Sequence, residues 1–304
     1  MSTLTPTTRD TAPANAEAAA PRAAAKRPKA WGHRSRGASI ALHATLICAS
    51  LIAVFPVVWV ALTSLKPDDH WQRTGDFSGL SLDNYTKVLG DSSFTTWFLN
   101  SAVVSVGTTV VGVFISASAG YAVSRLRFPG HRALMWTFLV TQMFPVAVLI
   151  VPVYTILTKL HMTNTYGALI LVNCTVAVPF CAWMLKGYFD TIPREIDEAG
   201  RVDGLTPFGT FWRLVLPLAK PGLAVTGFYT FLTAWAEIAF ARTLMSDDAH
   251  YTLPVGMGTW IGQFKSEWGM MTAASVLITL PAAALFFFVQ RHLVSGLTAG
   301  STKS

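Results

Sequence analysis

Few residues in this 304-residue chain have the types and the spacing that catalysis requires. Its seven histidines form no H-x-x-x-H pair, and the sequence contains neither G-x-S-x-G nor C-x-x-C. Cys48, Cys174 and Cys181 lie in apolar stretches without metal-ligand spacing, which is typical of ordinary small apolar residues. The sequence therefore predicts no catalytic centre, no metal site and no cofactor site.

One polar stretch differs from its surroundings: EIDEAGRVDG, residues 195–204, has charges on half of its residues although its flanks are apolar. Pro193 is typical of a first helical turn, and Gly204 is typical of the residue that follows a helix. Thr206 and Pro207 then predict the start of a second short helix. Because no reactive group accompanies these helices, we expect them to recognise a surface.

One face of the first short helix carries Ile196, Ala199 and Gly200, since residues three and four apart lie on the same side. Glu195, Glu198 and Arg201 lie on or beside the flank of this face. Small residues with a largely acidic rim favour docking against another protein. A helix lying on the membrane surface is the alternative, but such helices typically carry bulky apolar residues and a basic polar face.

The composition defines the elements that must hold this segment. Apolar residues make up 52% of the chain and charged residues 13%, against roughly a quarter charged in soluble domains. Each long run with little charge exceeds the roughly 20 residues that a helix needs to cross a bilayer. These runs are 37–65, 92–124, 133–158, 162–185, 221–241 (interrupted only by Glu237) and 268–290. We predict an all-α integral membrane protein with six transmembrane helices.

The basic residues predict the orientation of these helices. If the N-terminus is cytoplasmic, most of the 23 Lys and Arg residues fall on the inner side. The net charge of +7 then reflects topology and does not indicate nucleic-acid binding. The basic run of the N-terminal tail is expected near anionic lipid headgroups. The predicted organisation is a disordered cytoplasmic tail (1–36), a first transmembrane helix (37–65), an external loop (66–94), a transmembrane domain (95–290) and a cytoplasmic C-terminal tail (291–304).

The polar segment resembles the EAA loop of permease subunits of ABC importers, written E-A-A-x-x-x-G with a downstream Leu-Pro. Gly200 replaces the third-position Ala of that motif, a change that keeps the side chain small. Asp203 and Gly204 match the form that is common in sugar importers. The residues that match the motif itself are Glu198, Ala199, Gly204, Leu216 and Pro217.

Other segments are similar to the carbohydrate branch of the same family, in the same order along the chain. The combination resembles the second membrane subunit of the maltose-type importer. Ala236 is a departure, since the branch usually has Asn at that position. The similar segments are 82–89, 98–105, 121–130, 252–257, 268–277 and 296–300.

The resemblance implies a type I ABC importer permease fold in which the EAA loop is a cytoplasmic two-helix coupling loop. It implies a second permease subunit, two copies of an ATP-binding subunit and an extracytoplasmic sugar-binding protein as partners. The chain itself is then no enzyme, lies in the bacterial cell membrane and carries maltose or maltooligosaccharide-like sugars. Another sugar, a polyol or glycerol phosphate is the alternative substrate; an intramembrane enzyme and a structural or signalling membrane protein are the alternative classes.

Three further residues are candidates for function. Glu237 is either a pathway residue or an interfacial acid near Arg242. Trp260 and Phe264 lie in an external segment rich in aromatic residues. They are expected either to contact the sugar-binding protein or to form a belt at the membrane interface.

Overall fold

The structure is a computed structural model that describes residues 36–67, 75, 78–262 and 267–299, without the side chains of 36 and 293–299. Phe264, the tail before Arg36, residues 300–304 and part of the predicted external loop lie outside the described residues. In chain order the helices are α1 (Arg36–Thr63), α2 (Asp83–Gly90), α3 (Ser92–Arg125), α4 (His131–Thr141), α5 (Val146–Lys159), α6 (Tyr166–Phe189), α7 (Glu195–Val202), α8 (Pro207–Thr210), α9 (Leu216–Leu218), α10 (Lys220–Trp235), α11 (Ala239–Leu244), α12 (Leu253–Met257) and α13 (Trp268–Ala299).

Four described helices, α1, α3, α6 and α13, are long and apolar enough to cross a membrane. Two bent pairs raise this number to six if each pair counts as one span. One pair is α4 with α5, bent by 104°; the other joins the helical stretch Pro207–Leu218 to α10 and is bent by 83°. The predicted all-α membrane fold is confirmed, and the predicted six spans result when each bent pair is one broken span.

The first break corrects the prediction of one continuous helix over 133–158. Pro145 lies directly before α5, where it has no N–H to offer the preceding turn and disfavours helical backbone at Phe144. The amide of Gln142 at the break donates a 3.0 Å hydrogen bond to the Val176 carbonyl on α6. The bend is therefore anchored to a neighbouring helix.

Other helix ends also differ from the predictions. The predicted fifth span, 221–241, ends at Trp235 and resumes as α11, and α2 lies inside the predicted external loop 66–94. The last helix continues to Ala299, past the predicted boundary at 290. Charge patterns locate spans well but do not mark their ends, because helical hydrogen bonding continues into the polar boundary.

The chain divides into two units, with the boundary between Ala53 and Val54. The described part of the first is the beginning of α1, in which the Thr45 hydroxyl donates to the Ala41 carbonyl. In the second unit α3 packs against α6 and α10, as its many small residues predict. A Cβ atom at Gly120 would lie 3.0 Å from both the Ala182 carbonyl oxygen and the Lys186 backbone nitrogen. The backbones of α3 and α6 thus touch.

The first turns of α3 hold the segment that precedes α12. The Trp97 indole donates to the Asp248 carbonyl at 3.1 Å, and the Asn100 amide donates to the Ala249 and Tyr251 carbonyls. The Ser101 hydroxyl accepts the backbone N–H of Leu253 at 2.7 Å. These polar side chains explain the Asn-Ser pair in the segment 98–105, since they satisfy backbone groups of the short 3-10 turn at Asp248–His250 and of the start of α12.

Candidate coupling site

The polar segment folds into the two short helices that the sequence predicts. Helix α7 ends before Gly204, whose φ of +78° is a left-handed conformation that glycine adopts without strain. The Leu205 N–H bonds to the Gly200 carbonyl at 2.8 Å and closes the turn. Thr206 caps the next helix by accepting the Gly209 N–H at 3.1 Å, and Pro207 follows at the first helical position. We call residues 195–218 the coupling loop.

Gly200 is buried against the helical stretch Pro207–Leu218 of the same loop. A Cβ atom there would lie 2.7 Å from Thr210 Oγ1, 2.9 Å from Thr210 Cγ2 and 3.1 Å from Leu214 Cδ1. Gly200 therefore packs inside its own loop, and docking of the Ile196, Ala199 and Gly200 face against another protein stays a prediction. The small residue lets the two helices of the coupling loop pack together, a contact that helix periodicity alone could not reveal.

The surface that the coupling loop leaves open is formed by other residues. Glu198 and Ala199 are exposed on α7, and Asp203 is exposed directly after it. On the helical stretch Pro207–Leu218 the exposed rings of Phe208 and Trp212 stack with centroids 6.3 Å apart. Exposed aromatic rings beside an acidic rim are typical of a protein contact surface.

Asp197 attaches the loop to the long helix α3, a role that the sequence interpretation missed. Its Oδ1 accepts a 2.6 Å hydrogen bond from the Tyr121 hydroxyl, and its Oδ2 pairs with Arg125 Nε at 2.8 Å. Arg125 also donates to the Ile192 carbonyl at 2.9 Å. Tyr121 and Arg125 lie four residues apart in the similar segment 121–130, so their shared helix face was a signal for a common partner.

A second attachment of the coupling loop lies where the chain leaves α6. Asp190 accepts a 2.7 Å hydrogen bond from the Ser124 hydroxyl through Oδ1 and pairs with Lys186 Nζ at 2.6 Å through Oδ2. Arg194 donates a longer, 3.4 Å bond to the Ser124 carbonyl. The entrance of the coupling loop is thereby fixed to the ends of both α3 and α6.

Glu237 lies in the break between α10 and α11 rather than inside a continuous helix. Its carboxylate accepts the N–H of Phe240 at 2.6 Å through Oε1 and the N–H of Ala241 at 2.9 Å through Oε2. These are N–H groups that a helix start cannot satisfy within itself. Glu237 therefore caps α11. The sequence did not predict this role. Ala236, which stands where the carbohydrate branch usually has Asn, is exposed beside Glu237.

Trp260 packs partly inside the protein. Its ring centroid lies 6.3 Å from that of Phe94 and 5.7 Å from that of Trp97, both on α3. The ring is half-buried, so at most one edge is open to a partner. With Phe264 outside the described residues, contact of this segment with a binding protein stays a prediction.

A multi-pass bundle of apolar helices, with a polar two-helix loop fixed to its central pair, defines a membrane permease. The chain belongs to the family of binding-protein-dependent transport system inner membrane components, whose sequence profile matches residues 112–299. The predicted membership of the ABC importer permeases, in their carbohydrate branch, is thereby confirmed. The chain is a multi-pass membrane protein and a transport subunit.

Two relatives and one solved structure illustrate this membership. The sulfoquinovosyl glycerol transport system permease protein SmoH of Agrobacterium fabrum is 34% identical, covering 84% of this chain and 92% of its own. The maltodextrin transport system permease protein MdxG of Bacillus subtilis is 32% identical, covering 87% and 96%. A bacterial ABC transporter involved in the import of the acidic polysaccharide alginate aligns with a TM-score of 0.71 at 22% identity, covering 85% of this chain and 98% of that one. That likeness shows the fold.

Proposed function

We propose that this chain is one of two different permease subunits of an ATP-driven importer for maltooligosaccharide-like sugars. It forms half of the translocation pathway in the bacterial cell membrane, with both of its ends in the cytoplasm. Its partners are the second permease subunit, two copies of an ATP-binding subunit and an extracytoplasmic sugar-binding protein. The maltodextrin permease among its relatives supports the substrate class.

The observation that carries the proposal is the construction of the coupling loop. Its inner face is occupied by its own packing at Gly200, and its base is fixed to α3 through Asp197. The remaining face exposes Phe208 and Trp212 beside Glu198. A rigid base with an open aromatic face suits a loop that receives force from an ATP-binding subunit and passes it to the membrane helices.

Reconstitution tests this proposal. The chain is placed in vesicles with its second permease subunit and its ATP-binding subunit, and the sugar-binding protein is supplied outside. We expect ATP-dependent uptake of labelled maltotriose. Uptake of glycerol phosphate but not of maltotriose would support the alternative substrate, and the absence of any binding-protein-stimulated ATP hydrolysis would overturn the proposed function.

A matched pair of variants tests the docking face. Phe208→Asp places a charge where an apolar contact is expected, and desolvating an unpaired charge is costly. Phe208→Leu keeps an apolar side chain at the same position. We expect the ATP-binding subunit to co-purify with the Leu variant and to be lost from the Asp variant at equal permease levels. Equal recovery with both variants would contradict the docking assignment.

A further inference from the structure

A large basic cavity lies next to the start of the coupling loop. It has a volume of about 830 Å³ and lies between the last turn of α3, the turn that leads into α4, and the end of α6 with residues 190–194. Asp190 is the only acidic residue among the described residues that line it. The basic residues of its lining are Arg125, Arg127, His131, Arg132, Lys186 and Arg194.

Two of these basic side chains are already paired with carboxylates. Arg125 pairs with Asp197 and Lys186 pairs with Asp190. Arg127 and Arg132 are exposed, and in the described part of the chain their guanidinium groups have neither a hydrogen bond nor an ion pair. The cavity therefore presents at least two uncompensated guanidinium groups, the side chain that best matches the oxygens of a phosphate group.

An apolar groove of about 340 Å³ adjoins the basic cavity. His131, Arg132 and Lys186 line both spaces, so one opens beside the other. The remaining groove residues come from α4 and α6, and the rings of Trp136 and Trp183 are exposed along it. These other lining residues are Met135, Trp136, Leu139 and Trp183. Tryptophans beside a basic boundary are typical of the membrane interface.

We propose that the two spaces together bind one phospholipid with an anionic headgroup. The phosphate lies in the basic cavity against Arg127 and Arg132, and an acyl chain lies in the groove against Leu139 and Trp183. A free phosphate ion offers the same chemistry to the arginines but leaves the apolar groove unfilled. Basic pockets between membrane helices are known sites for such headgroups. The inference depends on the membrane fold and is independent of the transported substrate.

Retention of lipid by the purified full-length chain tests the site. The chain is purified in detergent, exposed to phosphatidylglycerol or phosphatidylcholine with identical acyl chains, and analysed by native mass spectrometry. We expect preferential retention of phosphatidylglycerol. The double variant Arg127→Ala/Arg132→Ala should lower its affinity about thirtyfold, from the loss of two basic side chains. Lys220→Ala is the matched control, since Lys220 is exposed beside the coupling loop and lines neither space.

A groove variant separates a lipid from a free anion. Leu139→Gln keeps every basic residue but makes the groove polar, so it should weaken retention of phosphatidylglycerol and leave any binding of inorganic phosphate unchanged. Equal retention by the wild type, the double variant and the control would overturn the proposal. Binding of inorganic phosphate with no retained lipid would also overturn it. So would retention of phosphatidylcholine equal to that of phosphatidylglycerol.

Discussion

The Tyr121 hydroxyl on α3 donates a 2.6 Å hydrogen bond to Asp197 on α7, across 76 positions of sequence. The same carboxylate pairs with Arg125, and the two side chains are only 8% (Arg125) and 11% (Asp197) exposed. A membrane helix and the loop that follows another helix are therefore joined at one carboxylate. This contact is the first target for mutation.

Replacing Asp197 should destabilise the permease. Asp197→Ala leaves the Arg125 guanidinium buried without its counter-ion, which typically costs about 3–5 kcal/mol. Thermal unfolding in detergent, followed by tryptophan fluorescence, should show a lowered midpoint. Glu198→Ala is the control, because Glu198 is exposed on the same helix and its removal should cost no more than about 0.5 kcal/mol. Equal midpoints for the two variants would contradict the anchoring role of Asp197.

Gly200→Ala should loosen the coupling loop. The added Cβ atom meets Thr210 and Leu214 at less than van der Waals distance, and overpacking of this kind typically costs about 1–3 kcal/mol. Gly187→Ala is the matched control: this helical glycine on α6 has nothing within 4 Å of a Cβ position, so alanine should stabilise by up to about 1 kcal/mol. Unfolding midpoints that move in opposite directions are expected. A stabilising effect of Gly200→Ala would refute the packing described above.

Glu237→Ala should weaken α11. The variant removes both acceptors from the Phe240 and Ala241 N–H groups, and loss of a helix cap typically costs about 0.5–2 kcal/mol. Glu237→Gln keeps one amide oxygen and should retain most of the stability. Uptake and unfolding midpoints are measured for both. If Glu237→Gln abolishes uptake while its unfolding midpoint is unchanged, Glu237 acts in the pathway, and capping of α11 alone does not explain its role.

Asp247 gives the connection between α11 and α12 a pH dependence. Hydrogen bonds from His250 and Asn164 hold the pKa of the Asp247 carboxyl below its usual range. A lowered folded-state pKa stabilises the contact at pH values above the ordinary carboxyl pKa of about 4, and this contribution is lost as the pH falls through the lowered value. Hydrogen-exchange protection of the Ser246 amide, which bonds to Asn164 Oδ1, should therefore decrease in acid. Protection that is independent of pH in the wild type, or equally pH-dependent in Asp247→Asn, would contradict this assignment.

The sequence was sufficient to predict the spans, because a bilayer imposes a minimum length on every uncharged stretch. It also predicted the two helices of the coupling loop, since Gly204, Thr206 and Pro207 act through local backbone geometry. The direction in which Gly200 faces could not be predicted. Periodicity shows which residues share a face, but the identity of the element opposite that face depends on tertiary packing.

The roles of Asp197 and Glu237 could not be predicted, for two different reasons. Asp197 lies among several acidic residues of α7, and only the folded structure shows that its carboxylate is the one that meets Arg125. Glu237 was placed inside a span because the surrounding stretch is apolar. The helix ends at Trp235, and the carboxylate turns back onto the next helix start.

The close approach at Gly120 has a mechanical consequence. Because the backbones of α3 and α6 lie so close there, we expect the two helices to tilt together rather than to slide past each other. Helix α3 has 34 residues and is about 50 Å long. A tilt of about 5° at its Arg125 end therefore displaces its far end by about 4 Å. Trp97, Asn100 and Ser101 would carry the chain before α12 along with that displacement, so a small rotation at the coupling loop becomes a movement of side-chain size on the opposite face.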